Sequence, residues 1–243
     1  MLNDTDPFET VLASLSLLIV GRPLAETLAH IAELAQDGIE AADYAAITTI
    51  RNGKPETTVA TDPMITEIDA AQYEADAGPC LDAYRHGKAF RIESTEADDH
   101  PWPEFGKAAA AHGVHSTLSW PLMAGPDGIG ALNLYSREHS AFTDDDELKA
   151  RRFAEPAAVI LANAQLLWDA RNLAENLELA LANRAVIEQA KGMLMGQRGL
   201  DADAAFAVLR RASQRENVKL RDIAQRLVDQ APERHDQQPD TPG

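Results

Sequence analysis

The chain has 243 residues, 45% of them hydrophobic, enough for one large domain or for a medium and a small one. Thirty-nine acidic residues against 22 basic give a net charge of −17, which repels nucleic acid and argues against a protein that coats it. A single cysteine, Cys80, excludes an internal disulfide framework and a Cys-based zinc cluster.

No apolar run approaches the ~18 residues of a membrane span, and the first residues lack the basic start of a signal peptide, so a cytoplasmic protein is expected. Residues 8–20 and 23–36 read as two helices, the second opened by Pro23, whose fixed φ suits a first helical turn. The period then changes. Tyr44, Ala46, Thr48 and Ile50 alternate with their neighbours, and Asn52-Gly53 is a hairpin turn leading into a strand from Glu56 to Ala60. A helix from Met64 to about Glu74 precedes Gly78-Pro79-Cys80-Leu81, where another helix starts and runs to His86-Gly87. A short strand, Ala89 to Ile92, and a helix from Pro101 to His112 follow.

Strands Ser116 to Met123 and Gly130 to Tyr135 are joined by the tight-turn sequence Gly125-Pro126-Asp127-Gly128. Thr143, with Asp146 three residues on, has the spacing of a capping box and starts a long helix. This order predicts an α+β fold around an antiparallel sheet. The order, with Gly78-Pro79-Cys80-Leu81-Asp82-Ala83, Trp102-Pro103-x-Phe105, Ser119-Trp120-Pro121-Leu122 and Gly130-Ala131-Leu132-Asn133-Leu134-Tyr135, resembles a GAF domain over residues 8–165. The resemblance implies a sensor, with Cys80, Trp102 and Trp120 as pocket residues and a small-molecule or protein signal. The Asn-Lys-x-Phe-Asp-Glu pattern of cyclic-nucleotide-binding members is missing, which leaves the ligand unassigned.

Two readings of Cys80 stand side by side. Near a helix N-terminus its thiolate is favoured and it becomes a redox sensor; as a small apolar side chain facing the pocket it is inert. His112 and His115 straddle a helix end at i,i+3, poor geometry for one ion, and no metal site is read from the sequence. The glycines between 125 and 130 belong to a hairpin rather than a phosphate loop, and Asp144 to Asp146 complement a helix N-terminus. With no nucleophile and base in a recognisable arrangement, the chain is not expected to be an enzyme.

Beyond Ala157 the long helix meets no strong breaker. Leu166, Ala170, Leu173, Leu177 and Ala180 alternate four and three apart, two heptads of a coiled-coil seam over residues 166–180 that are marginal alone but consistent with a parallel homodimer. The next seam position is Arg184, which a tight seam would not accept, so the seam ends there.

From Leu181 to Val228 three short amphipathic helices follow. Val186, Ile187, Ala190, Met193 and Leu194 mark the first; after a break at Gly196 and Gly199, Asp201 caps a second with Ala205, Phe206, Leu209 and Ala212. A turn at Asn217 to Lys219 leads to a third carrying Leu220, Ile223, Ala224, Leu227 and Val228. Phe206 falls on the apolar stripe and is expected in the core. Residues 181–230 hold nine Lys and Arg against six Asp and Glu, a net +3, whereas residues 1–180 carry −18. That local sign reversal is a footprint of nucleic-acid binding, although a solvated face with i,i+4 pairs such as Arg184 with Glu188 would look the same. Arg184 and Lys191, two helical turns apart, share one face, and Arg210, Arg211, Arg215, Lys219 and Arg221 add charge beside it.

Arg184, Ile187, the block Ala190-Lys191-Gly192-Met193-Leu194-Met195, Ala205-Phe206, Leu209-Arg210, Ser213 and Leu220-Arg221-Asp222-Ile223-Ala224 resemble an ANTAR domain, over residues 181–230. The resemblance implies an RNA-binding transcription antiterminator that acts as a dimer on paired stem-loops in nascent transcripts. Its expected RNA-binding residues are Arg184, Lys191, Gly192, Arg210, Arg211, Ser213, Lys219 and Arg221. Two other readings compete: a dimeric sensor whose bundle docks a protein partner, and a DNA-binding regulator using the last two helices as a helix-turn-helix. Residues 231–243, polar and proline-rich, read as a disordered tail.

Overall fold

The structure, a computed structural model, describes residues 6–17, 23–51, 54–97, 101–125 and 127–230. The Asn52-Gly53 turn, Pro126, positions 18–20 of the first predicted helix and the tail from 231 lie outside the described residues. The chain divides into two compact units, Met1–Asp169 and Ala170–Gly243.

In the first unit, α1 (Pro7–Ser16) is capped by Asp6, whose carboxylate accepts from Phe8 N at 3.0 Å, and α2 (Leu24–Gly38) starts behind Pro23. The hairpin β1 (Tyr44–Arg51) and β2 (Lys54–Ala60) leads to α3 (Pro63–Glu74), which combines an Asp62 cap with Pro63 at the first turn. Next come α4 (Pro79–His86), ended by Gly87 in the left-handed conformation, β3 (Phe90–Ile92) and α5 (Pro103–Ala111). Strands β4 (Ser116–Ala124) and β5 (Asp127–Ser136) form a second hairpin. The five strands make one antiparallel sheet in the order β2-β1-β5-β4-β3.

Strand alternation divides this sheet into two buried faces. Ala45, Ile47, Leu118, Leu122, Leu132 and Leu134 point to one side, where Phe8, Leu28, Ile31, Phe153 and Leu161 of the helices cover them. Tyr44, Ala46 and Tyr135 point to the other, against Ile65, Ile68, Phe105 and Ala109. Each large apolar side chain so buried contributes about 1.5–3 kcal/mol. At Gly130 a Cβ would collide with the Thr48 carbonyl, so only glycine lets β5 approach β1 there.

The long helix α6 (Asp144–Arg198) opens with the expected capping box: Thr143 N donates to Asp146 Oδ2 at 2.9 Å and Asp146 N to Thr143 Oγ1 at 3.3 Å. It runs through Pro156 and 55 residues in all, contributing to both units. Gly196, expected to break the helix, lies inside it. The chain leaves the helix instead at Gly199, whose φ of +64° is free of Cβ strain only in glycine. In the second unit α6 is followed by α7 (Ala202–Glu216), capped by Asp201 to Ala204 N at 2.7 Å, and α8 (Leu220–Asp229). Ala190, Leu194, Ala205, Leu209, Ile223 and Ala224 form the buried centre of this three-helix bundle. Among the described residues no helix is long and apolar enough to cross a membrane.

Candidate functional site

Two places in the molecule gather chemistry that packing alone does not require. The first lies on the α3–α5 side of the sheet. Thr48, Thr117, Ser119 and Asn133 are buried there in the middle of β1, β4 and β5, facing Asp69, Gln72 and Tyr73 of α3 and Cys80 of α4. Asp69 accepts from Gln72 Nε2 at 2.7 Å and from Tyr135 OH at 2.6 Å; Thr48 Oγ1 meets Tyr73 OH at 2.8 Å and accepts from Asn133 Nδ2 at 3.0 Å. Gln72 also accepts from Cys80 N at 3.2 Å, and a Cβ at Gly78 would collide with the Gln72 side chain, which explains the glycine before α4. Thr117 Oγ1 and Asn133 Oδ1 are buried without a hydrogen-bond partner. An unmet buried polar group costs about 1–3 kcal/mol, so among the described residues these two oxygens are left open to a donor from outside.

Cys80 resolves in favour of the inert reading. It sits in the first turn of α4, yet it is only 1% exposed, and burial followed by the nearby Asp69 charge pushes its thiol up to about 12, against weaker help from Thr48 and Asn133. Desolvation defeats the helix terminus, and the thiolate of a redox sensor is not formed at neutral pH.

The second place is the bundle surface. Arg184, Arg210, Arg211 and Lys219 are exposed and make no ion pair among the described residues. Lys191 differs: its ammonium lies 3.0 Å from both Glu188 oxygens and its side chain is 16% exposed, so Glu188 takes Lys191 rather than the expected Arg184. Arg221 pairs with Asp222 at 3.1 Å, while Arg215 and Arg226 share Glu216 at 3.1 and 3.3 Å.

Phe206 corrects the sequence reading. It is 38% exposed rather than in the core, because Ala205, Val208, Leu209 and Ala212 turn toward the bundle and Phe206 lies about 100° round the helix from Ala205. Arg210 is one turn away on the same exposed side, so an aromatic ring and a free guanidinium stand together.

Residues 21–162 match the GAF domain family, and residues 175–228 match the ANTAR domain. The chain belongs to the GAF domain family. Its C-terminal bundle is an ANTAR domain, and the pairing is a regulatory architecture in which GAF domains are signal sensors and ANTAR domains RNA-binding antitermination modules. No curated protein matches the chain. Among solved structures, free methionine-R-sulfoxide reductase from Neisseria meningitidis superposes with a TM-score of 0.52 at 14% identity, covering 66% of this chain and 89% of the reductase. The reduced form of fRMsr from Staphylococcus aureus gives 0.49 at 12%, covering 65% and 97%. The GAF domain of an Acinetobacter phosphoenolpyruvate-protein phosphotransferase gives 0.45 at 12%, covering 66% and 93%. At 14% identity the likeness to the Neisseria reductase is one of fold.

Within the GAF domain the three pocket residues read from the sequence do not converge. Cys80 packs beside Gln72 and the buried polar cluster, and Trp102 is buried on the same side of the sheet, donating from Nε1 to Asp82 Oδ2 at 2.9 Å. Trp120 points to the opposite face, beside a shallow groove of about 360 Å³ with Asp144, Glu147, Leu148 and Arg151. One-residue alternation along β4 puts Trp120 there, in step with Leu118 and Leu122. The sequence missed Asp69, Gln72, Thr48 and Asn133; their only signal was a polar residue inside a strand or helix that reads as apolar.

In the ANTAR domain, Gly192 is exposed with open space around it, so nothing in the bundle demands glycine at that position. Ser213 is held inside the turn: its hydroxyl donates to Val218 O at 2.6 Å while Asn217, at φ +51°, caps α7.

Proposed function

We propose that this protein is a signal-responsive transcription antitermination regulator that binds paired stem-loops in nascent RNA as a homodimer. The observation that carries this reading is a set of exposed cations, Arg184, Arg210, Arg211 and Lys219, unpaired among the described residues, on an ANTAR domain within an otherwise acidic chain. Phosphates need such cations, and splayed loop bases need flat groups to stack on. Phe206 and the guanidinium of Arg210 supply the second requirement. Lys191 reaches RNA by exchanging Glu188 for phosphate, exposed Gly192 leaves the backbone beside it open to RNA, and Ser213 contributes from the turn where it bonds Val218 O.

The sensor occupies residues 8–165, the linking helix 166–180 and the RNA-binding bundle 181–230. Leu166, Leu173 and Leu177 are largely exposed in the single chain, Leu173 at 62%, and a second copy covers them as a two-heptad seam. A signal that engages the polar cluster of Thr48, Asp69 and Asn133 changes how the linking helices pair and so repositions the two RNA faces. The protein works in the cytoplasm and performs no catalysis.

The test is binding of full-length protein to a paired stem-loop leader RNA and to duplex DNA of matched length. RNA-selective binding that weakens with salt is expected. Equal or stronger binding to DNA overturns the reading, and failure to bind RNA in any state assigns exposed Phe206 and Met195 to a protein partner instead.

A further inference from the structure

At the edge of the GAF sheet, three side chains distant in sequence meet for no evident structural reason. Glu96 lies in the connection after β3, His115 just before β4 and His139 in the connection between β5 and α6. One nitrogen of each imidazole and one Glu96 oxygen all lie within 4.8 Å of one another. His115 Nδ1 is 3.6 Å from Glu96 Oε1, and His139 Nε2 is 3.9 Å from Oε2. These distances are too long for hydrogen bonds, and His115 Nδ1 is buried with no hydrogen-bond partner among the described residues. Two donors each about 2.1 Å from a tetrahedral ion stand about 3.4 Å apart, so small side-chain rotations bring all three into a first coordination sphere.

The backbone beneath is fixed by bonds that tie the three segments to each other. Thr95 N donates to His115 O at 2.9 Å and Thr95 Oγ1 to Val114 O at 2.8 Å. His115 N donates to Ser136 O at 2.8 Å, Ser140 N to Glu93 O at 2.8 Å, and Ser116 Oγ to Glu138 O at 2.6 Å. The two rings stack at 4.5 Å. A ligand set presented by three laced segments is preorganised, and preorganisation lowers the ordering cost of binding.

We propose that Glu96, His115 and His139 form a binding site for a divalent first-row transition ion, of which Zn²⁺ is the type. Imidazole suits Zn²⁺, Cu²⁺ and Ni²⁺, and the lone carboxylate with two imidazoles disfavours Mg²⁺ and Ca²⁺, which require oxygen shells. Three protein donors leave one tetrahedral position to solvent. Occupancy clips the connections after β3 and after β5 to the start of β4, close to where α6 begins at Asp144.

The experiment titrates untagged full-length protein with Co²⁺, read by its visible d–d absorption, and repeats the titration by Zn²⁺ competition. The expected result is one ion per chain, with affinity lowered at least about tenfold in His139→Ala and in Glu96→Gln and unchanged in His30→Ala. His139 and Glu96 are exposed, and the metal-free melting temperatures of the variants confirm that they fold. Zn²⁺ should also raise the melting temperature of the parent protein and not that of His139→Ala, since it binds the folded chain. Absence of Co²⁺ uptake by the parent protein, or equal affinity in His139→Ala, overturns the assignment.

Discussion

Replacing Arg210 by alanine separates RNA contact from mere surface charge. Arg210 is exposed and unpaired among the described residues, so its loss removes no internal interaction, and folding stability should change by less than about 0.5 kcal/mol. If each guanidinium neutralises one phosphate, a dimer loses two contacts. With about 0.7 to 0.9 counterions released per contact, the slope of log K against log salt then becomes shallower by about 1.4 to 1.8. Over a fourfold rise in salt that difference alone amounts to roughly tenfold in affinity. Arg226, 3.3 Å from Glu216 and outside the proposed contact set, is the internal control, and Arg226→Ala should shift the slope far less. The assay is RNA binding by fluorescence anisotropy across a salt series. An unchanged slope in Arg210→Ala, or equal shifts in both variants, would refute the assignment of the unpaired cations as the contact face.

Leu173→Asp with Leu177→Asp tests the seam. Both positions are exposed in the single chain, so sedimentation should show a folded monomer with weakened RNA binding; a dimer that persists would refute the seam. Cys80 gives a pH signature. Its folded-state thiol is raised from 9.0 to about 12, so the unfolded chain ionises first, and the stability held below pH 9.0 is lost as pH rises toward 12, at up to about 1.4 kcal/mol per unit. Urea denaturation of the parent protein and of Cys80→Ala should therefore diverge in slope above pH 9.0, with the parent protein losing more.

The helices, hairpins and caps were legible in the sequence because each depends on near neighbours: Asp62-Pro63 and Thr143-Asp146 fix helix starts through bonds spanning a few residues, and strand alternation in Tyr44 to Ile50 is a local period. The α8 stripe, Leu220 to Val228, reached the bundle core as its spacing required. Gly196 misled because glycine lowers helix propensity by only about 1 kcal/mol, less than the helix on either side returns. Phe206 misled because a stripe defines a face only to within about one residue of rotation, and the partner helices, not the stripe, decide which edge of it is covered.

Tertiary structure alone decided which groups meet. Pairing β1 with β5 and β5 with β4 set Asn133 beside Thr48 on the face that α3 and α4 cover, and turned Trp120 to the other face. It buried Cys80 deeply enough for desolvation to outweigh its helix terminus. It also separated His112, which bonds Ala108 O and lies 3.2 Å from Glu67, from His115, and carried His115 to Glu96 and His139. The sequence by itself determined the elements, the family and the charge reversal of the last fifty residues, because periodicity and composition are properties of neighbouring residues. Contacts between distant segments are set by register and packing, which no local pattern encodes.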